Sequence, residues 1–143
     1  MLRTREGDFQ IIDFEGEPAR PLAERRERNS ALRDVAGMLR SFAYAALTLA
    51  AEQREKGGDA AAATRRAAAW EQGAREAFLR GYLGDTRAEF LPTTARRIDA
   101  LRELFETEKV FYELSYELNN RPDWVWIPIA GAGALRATPA GRS

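Results

Sequence analysis

The chain has 143 residues, 45% of them apolar and 31% charged, which is enough to bury the core of one compact domain. Lys and Arg together number 22, as do Asp and Glu, and this balance argues against a dedicated binder of nucleic acid or acidic membranes. Cysteine and histidine are both absent, which excludes disulfides, thiolate or imidazole metal sites and a histidine general base within this chain.

The N-terminal residues have the pattern of a short β-hairpin. Two short segments with a strand pattern, 2–4 and 9–14, flank a polar turn that contains Gly7, a residue able to adopt the positive φ of a tight turn. We therefore predict a hairpin over residues 1–14, which needs a packing partner because two strands alone are marginally stable. Pro18 and Pro21 then exclude a continuous helix in the polar segment that follows.

Three helical patterns occupy the middle of the chain, over about 30–56, 60–83 and 93–119. Asn29 or Ser30 supplies the cap of the first helix, and Gly57 with Gly58 ends it. Gly84 is predicted to end the second helix. We predict a helical bundle over residues 30–120 whose inward-facing side chains include Leu49 on the first helix, Trp70, Phe78 and Leu83 on the second, and Leu104, Phe105, Phe111 or Tyr112, and Leu118 on the third.

The C-terminal residues differ in composition from the bundle. The segment 119–128 is aromatic and flanked by prolines, and the segment 131–143 is rich in Gly and Ala and is predicted to fray. The longest apolar stretch, 42–51, is far shorter than the ~20 residues of a membrane-spanning helix. With no targeting pattern at the start, the sequence predicts a cytoplasmic protein with no membrane partner and no nucleic-acid partner.

One acidic residue stands where a metal ligand is often found. Asp13 ends an apolar strand and precedes a loop that contains Gly16, an arrangement by which phosphotransferases hold Mg²⁺ beside a triphosphate. The alternative is that Asp13 only forms a turn or a cap.

Three stretches, in order, resemble the maltokinase family. They are Ile-Asp-Phe-Glu-Gly-Glu-Pro at 12–18, Ser-Ala-Leu-Arg-Asp-Val-Ala-Gly-Met-Leu-Arg-Ser-Phe at 30–42 and Tyr-Glu-Leu-Asn-Asn-Arg-Pro-Asp-Trp at 116–124. The resemblance covers essentially the whole chain. It implies part of the C-terminal lobe of a protein-kinase-like fold of the aminoglycoside phosphotransferase type, mainly α with the N-terminal hairpin.

The resemblance also implies an activity and partners. Maltokinases transfer the γ-phosphate of ATP to the anomeric hydroxyl of maltose, giving maltose 1-phosphate for the synthesis of α-glucans such as glycogen, and they are often fused behind a trehalose synthase. By this resemblance Asp13 matches the Mg²⁺-binding aspartate, and Glu15 supports the metal or the substrate. Asp34 matches an aspartate that braces the catalytic loop; its alternative role is to complement the helix dipole.

The chain departs from the family in one respect that bears on activity. Members carry a His-Gly-Asp-x-His catalytic loop before the hairpin and an N-terminal lobe with a phosphate-binding lysine, and neither is present here. We therefore expect the C-terminal part of a maltokinase lobe, arising from a truncated or split gene or a cloned fragment. Such a chain contains no catalytic residue and is inactive alone.

The acceptor sugar is expected to contact the helical part. Tyr116, Asn120, Arg121 and Trp124 offer an aromatic face and polar groups for hydroxyls. The alternative is that Trp124 and Trp126 seal the end of the bundle while Arg121 pairs with a carboxylate. Two other functions stay open at this point: a non-enzymatic helical interaction module, and part of a kinase for another sugar such as glucosamine.

Overall fold

The computed structural model describes residues 2–10, 21–85 and 90–137, and it is mainly helical. In chain order its elements are β1 (Leu2–Arg3), β2 (Phe9–Gln10), α1 (Leu22–Arg25), α2 (Leu32–Glu55), α3 (Ala60–Asp85), α4 (Ala95–Asn120), a 3₁₀ turn (Pro122–Trp124) and α5 (Trp126–Ala137). None of the helices in these ranges is both long enough and apolar enough to cross a membrane.

The N-terminal strands are very short. Leu2 lies opposite Gln10 and Arg3 opposite Phe9 in an antiparallel pair, and Gly7 takes a φ of 95° in the turn between them. The hairpin predicted over residues 1–14 is not seen at that length, because each strand has two residues and residues 11–14 lie outside the described ranges.

The ends of α2 follow from local side-chain and backbone chemistry. Ser30 Oγ accepts a hydrogen bond from the Leu32 N–H at 3.3 Å, which satisfies one of the free donors of the first turn. At the other end Gly57 has a φ of 78°, and the Gly58 N–H donates to the Gln53 carbonyl at 3.0 Å. This 6→1 bond after a left-handed glycine is a Schellman ending, which explains why the helix stops there.

The next two helices also begin at side-chain caps. Asp59 Oδ1 accepts from the Ala62 N–H at 3.0 Å and Thr94 Oγ1 from the Arg97 N–H at 3.4 Å. The second helix, predicted to end at Gly84, extends one residue further to Asp85. Glycine lowers helix propensity but does not stop a helix unless its backbone turns left-handed.

The helices form an up-down-up bundle with α2 at its centre. α2 packs against both α3 and α4, while α5 packs against α4 and α2. Side-chain pairs between α2 and α4 ascend together in residue number, from Arg33–Glu108 through Arg40–Glu113, so these two helices run parallel. Leu32, Val35 and Leu39 of α2 form a fully buried cluster at the centre of the core, and Ile127 of α5 is equally buried.

Several residues predicted to face inward are exposed instead: Leu49 on α2, Trp70 and Leu83 on α3, and Leu104 and Leu118 on α4. Of the predicted pair Phe111 or Tyr112, Phe111 is 66% exposed and Tyr112 is half-buried. Trp70 still contacts Phe42, whose ring centre is 6.2 Å away in an edge-to-face arrangement. On α4 the reason is that acidic side chains occupy the buried face.

The exposed apolar residues of α4 form a line. Leu104, Phe111 and Leu118 are spaced by seven residues and are 58%, 66% and 58% exposed. A seven-residue spacing keeps side chains on one side of a helix, nearly opposite the buried Glu106 and Glu117. We call these three residues the outer stripe of α4.

Of the residues 131–143 predicted to fray, residues 131–137 belong to α5. Gly131 is buried, and a β-carbon at this position would lie 2.7 Å from Arg40 Cζ. Glycine therefore lets α5 lie directly on the Arg40 guanidinium, and this docking orders the segment. Residues 138–143 lie outside the described ranges.

Candidate functional site

Glutamates and arginines form ion pairs between the helices in the interior of the bundle. Glu106 of α4 is 1% exposed and accepts hydrogen bonds from Arg75 Nη2 at 2.8 Å and Arg102 Nη1 at 2.6 Å. Two cations thus hold one buried carboxylate, as a buried charge requires.

A second buried pair joins α4 to α2. Glu113 Oε2 accepts from Arg40 Nη2 at 2.8 Å and from Arg40 Nε at 3.1 Å, and Arg40 is 3% exposed. Arg33 and Glu108 pair one to two turns earlier on the same two helices. Because these bonds are directional, they fix the register of α4 against α2.

Glu117 receives two donors on one oxygen. Its Oε1 accepts from the Tyr44 hydroxyl at 2.7 Å and from Arg121 Nη2 at 2.6 Å, while its buried Oε2 has no hydrogen-bond partner among the described residues. The pKa of Tyr44 is raised well above the ordinary tyrosine value. Burial is the largest cause, and the hydrogen bond to Glu117 is the next largest. The hydroxyl therefore keeps its proton and remains a donor to Glu117.

Arg121 projects from the end of α4 between two rings. Its backbone N–H donates to the Glu117 carbonyl at 2.8 Å, and its Cζ lies 4.9 Å from the centre of the Trp124 ring and 5.5 Å from that of Tyr116. Both distances are within the range of cation–π attraction. We call Tyr116, Arg121 and Trp124 the arginine–aromatic cluster; all three side chains are between a third and a half exposed.

The arginine–aromatic cluster combines hydrogen-bond donors with aromatic faces. A guanidinium has five N–H donors, and apart from the bond to Glu117 no acceptor for those of Arg121 is found in the described part of the chain. The two rings add apolar faces beside these donors. Donors next to aromatic faces suit a ligand that combines hydroxyl groups with C–H surfaces, such as a sugar.

The predicted sugar-contacting residues do not all share this arrangement. Tyr116, Arg121 and Trp124 come together, whereas the Asn120 side chain donates to the Tyr116 carbonyl of its own helix at 2.8 Å. The alternative pairing of Arg121 with a carboxylate is also present, in the bond to Glu117. Arg121 therefore has both a structural partner and free donors.

Sequence reasoning missed Glu117 and Tyr44. A usable signal was the shared four-residue step of Arg40 and Tyr44 on α2 and of Glu113 and Glu117 on α4, which places matched donors and acceptors on two facing helices. It was missed because the apolar residues of α4 were assigned to the buried face.

The remaining predicted site residues are Asp34, Asp13 and Glu15. Asp34 is exposed in the first turn of α2. Burial of Tyr82 raises the pKa of its hydroxyl, and the negative charge of Asp34 raises it further. The predicted metal ligands Asp13 and Glu15 fall outside the described residues. Within the ranges 2–10, 21–85 and 90–137, no three acidic side chains are grouped as a metal site.

Two open grooves of about 420 and 370 Å³ lie along α2 and α3. Their walls are largely alanine, with Trp70 in one and Trp126 in the other, and neither includes a predicted site residue. In a comparison with known protein families, no family matches this chain. Function is therefore argued from the motifs and from the geometry of the arginine–aromatic cluster.

Proposed function

We propose that this chain is part of an ATP-dependent sugar kinase of the maltokinase type and that its helical bundle supplies part of the acceptor-sugar site. The observation that carries the proposal is the half-exposed Arg121, flanked by the rings of Tyr116 and Trp124 and retaining donors beyond its bond to Glu117. The resemblance of the three motifs supports the same function.

The proposed roles divide between the two ends of the chain. Asp13 and Glu15 hold the Mg²⁺ that accompanies ATP, Asp34 braces the catalytic loop, and the arginine–aromatic cluster binds maltose. The aspartate that accepts the proton of the anomeric hydroxyl is supplied by a catalytic loop that this sequence lacks. The chain alone is therefore expected to bind sugar without phosphorylating it, and a trehalose synthase is its expected partner.

Sugar binding is tested by titrating maltose into the 143-residue chain and following the tryptophan indole N–H resonances by NMR. We expect the Trp124 signal to shift while that of Trp70 stays in place. Arg121→Ala should weaken binding about tenfold or more, because hydrogen bonds to charged groups contribute about 1.5–3 kcal/mol. Arg97→Ala, an exposed arginine at the other end of α4, is the matched control. An unmoved Trp124 signal at saturating maltose would refute the acceptor-site role.

The metal assignment is tested by reconstitution. The chain is combined with a maltokinase segment that carries the N-terminal lobe and catalytic loop, and maltose-dependent ADP formation is measured. Asp13→Asn should abolish turnover, because a neutral amide is a much poorer Mg²⁺ ligand than a carboxylate. Asp59→Asn is the control, since either residue caps α3 equally well. Turnover retained in Asp13→Asn contradicts the assignment.

A second candidate function is a non-enzymatic helical interaction module. It is favoured by the outer stripe of α4, since exposed apolar side chains aligned on one side of a helix can mark a protein-binding surface. A module of this kind binds its protein partner without nucleotide or sugar, which separates it from the kinase proposal.

The remaining alternative is a kinase of the same fold that acts on another sugar. If the reconstituted kinase prefers glucosamine in a panel of sugars, the proposed acceptor changes while the proposed enzyme class stays the same.

A further inference from the structure

We propose that Glu117 makes the arginine–aromatic cluster selective for neutral ligands over anionic ones, by neutralising the charge of Arg121 while leaving its donors in place. The inference deepens the proposed function and rests on it, since it takes this cluster as the sugar site. Neither Glu117 nor its partner Tyr44 is part of the predicted sugar-binding set.

The neutralisation follows from the position of Glu117. Its carboxylate is 1% exposed and lies 2.6 Å from Arg121 Nη2, so the pair is screened less than one whose partners are both exposed, although Arg121 itself is half-exposed. The Tyr44 hydroxyl, donating to the same oxygen at 2.7 Å, fixes the carboxylate beneath the guanidinium. Arg121 is thus held at one corner by a full negative charge.

Within the described ranges, the charges near the cluster do not add to that of Arg121. The neighbouring Arg40 and Glu113 form a buried ion pair, and the exposed Asp123, two residues after Arg121 in the chain, adds a negative charge. Among the described residues, the cluster therefore presents N–H donors without an excess of positive charge. A sugar hydroxyl accepts such a donor without loss, whereas a phosphate or carboxylate meets the opposing charges of Glu117 and Asp123.

The consequence for a kinase is discrimination between its substrate and its product. Maltose is neutral, and maltose 1-phosphate carries a phosphate whose charge this cluster does not compensate. If the phosphate or its neighbouring ring approaches Arg121, the product is held less tightly than the substrate.

The test compares maltose, maltose 1-phosphate and inorganic phosphate as probes of the wild-type chain and of Glu117→Gln, again by the Trp124 indole resonance. We expect the wild type to prefer maltose. Glu117→Gln should bind phosphate about tenfold more tightly, because the charge of Arg121 is then no longer offset by the carboxylate of Glu117. The same variant should bind maltose less tightly. Loss of structure alone would weaken both ligands, so changes of opposite sign identify the charge effect.

Two variants locate the effect. Glu113→Gln also removes a carboxylate from α4, but its partner Arg40 is buried, so phosphate binding should not increase. Adding Arg121→Ala to Glu117→Gln should abolish the gained phosphate binding. Circular dichroism checks that each variant is folded. If Glu117→Gln does not fold, binding to the wild-type chain tests the inference. Phosphate bound as tightly as maltose overturns it, and the absence of phosphate binding supports it.

The outcomes separate the two proposals. If the wild type binds maltose and folded Glu117→Gln gains no phosphate binding, the charge-masking inference is wrong and the sugar site stands. If the wild type does not bind maltose but Glu117→Gln gains phosphate binding, the sugar site is wrong and the masking of Arg121 stands.

Discussion

Gly131 is the residue at which the C-terminal helix meets the buried charges. It lies against Arg40, whose buried guanidinium is held by two hydrogen bonds to Glu113. Its lack of a β-carbon is thus required by a close approach, since its backbone is ordinary helix.

Gly131→Ala should destabilise the fold. The new methyl group would overlap the Arg40 guanidinium, and relieving the overlap displaces either α5 or a buried ion pair, for about 1–3 kcal/mol. The free energy of unfolding in urea measures the effect. Gly133→Ala is the matched control: nothing lies within 4 Å of a β-carbon there, so it should be neutral or stabilise by up to about 1 kcal/mol. Equal effects at both positions contradict the close packing.

Tyr44 should make stability depend on pH in the alkaline range. Its pKa is raised in the folded chain above the ordinary 10.0, so above that pH the unfolded chain releases a proton that the folded chain retains. Stability is therefore full below pH 10 and falls as pH rises toward the folded pKa.

Tyr44→Phe tests this dependence. It should lower stability by about 1–3 kcal/mol at pH 7, because the buried carboxylate of Glu117 loses a donor, and it should reduce the alkaline slope. Urea unfolding at a series of pH values measures both effects. Tyr116→Phe, which leaves the Glu117 hydrogen bonds in place, is the control. An unchanged slope in Tyr44→Phe would assign the alkaline loss to other groups.

At the scale of the elements, α4 differs from an ordinary bundle helix because acidic side chains share its buried face with apolar ones such as Val110. Its buried face carries Glu106, Glu113 and Glu117, and its exposed face carries Leu104 and Phe111. Ion pairs and apolar contacts together hold α4 against α2, and the Arg75–Glu106 ion pair joins it to α3. The outer stripe of α4 stays exposed.

Phe111→Glu tests whether the outer stripe of α4 contributes to the fold. Because Phe111 is 66% exposed, stability should change by no more than about 0.5 kcal/mol, while self-association measured by light scattering should fall. Val110→Ala, one residue away but 3% exposed, should cost about 1–2 kcal/mol. A loss above 2 kcal/mol in Phe111→Glu would mean that the stripe packs within the chain.

The existence and bounds of the helices could be predicted, but the rotation of α4 could not. Caps at Ser30 and glycines at 57–58 are local signals, and they place the ends of α2 within two residues. On α4 the apolar residues and the acidic residues both repeat at helical spacing. The sequence pattern therefore does not show which of the two faces is buried. Burial then depends on partners far along the chain, such as Arg40, which a local pattern does not contain.

At the scale of the molecule, the bundle is joined by two kinds of contact. α2 packs on α3 through small and aromatic side chains, including Phe42 and Phe78, whose rings lie 5.8 Å apart edge to face. α2 meets α4 through Arg40 and Glu113 as well as through apolar contacts. The first kind supplies burial and the second fixes register, since ion pairs lose more than apolar contacts when shifted by one residue.

The candidate site follows the same division between local and distant signals. Tyr116, Arg121 and Trp124 are close in the chain, so their grouping could be predicted from sequence, and the structure brings them together. Glu117 and Tyr44 join only because α2 and α4 run parallel, which required the fold. The metal-binding roles of Asp13 and Glu15 stay predictions from the sequence.

The Arg40–Glu113 contact has an evolutionary consequence. Removing one member of a buried ion pair costs about 3–5 kcal/mol, whereas replacing both with apolar residues is often neutral. Single substitutions at either position are therefore filtered out, and the two positions can drift only together. Gly131 joins this set, because a larger residue is tolerated there only after the arginine has become smaller. Among diverged sequences with this fold, positions 40, 113 and 131 should change as a correlated triplet.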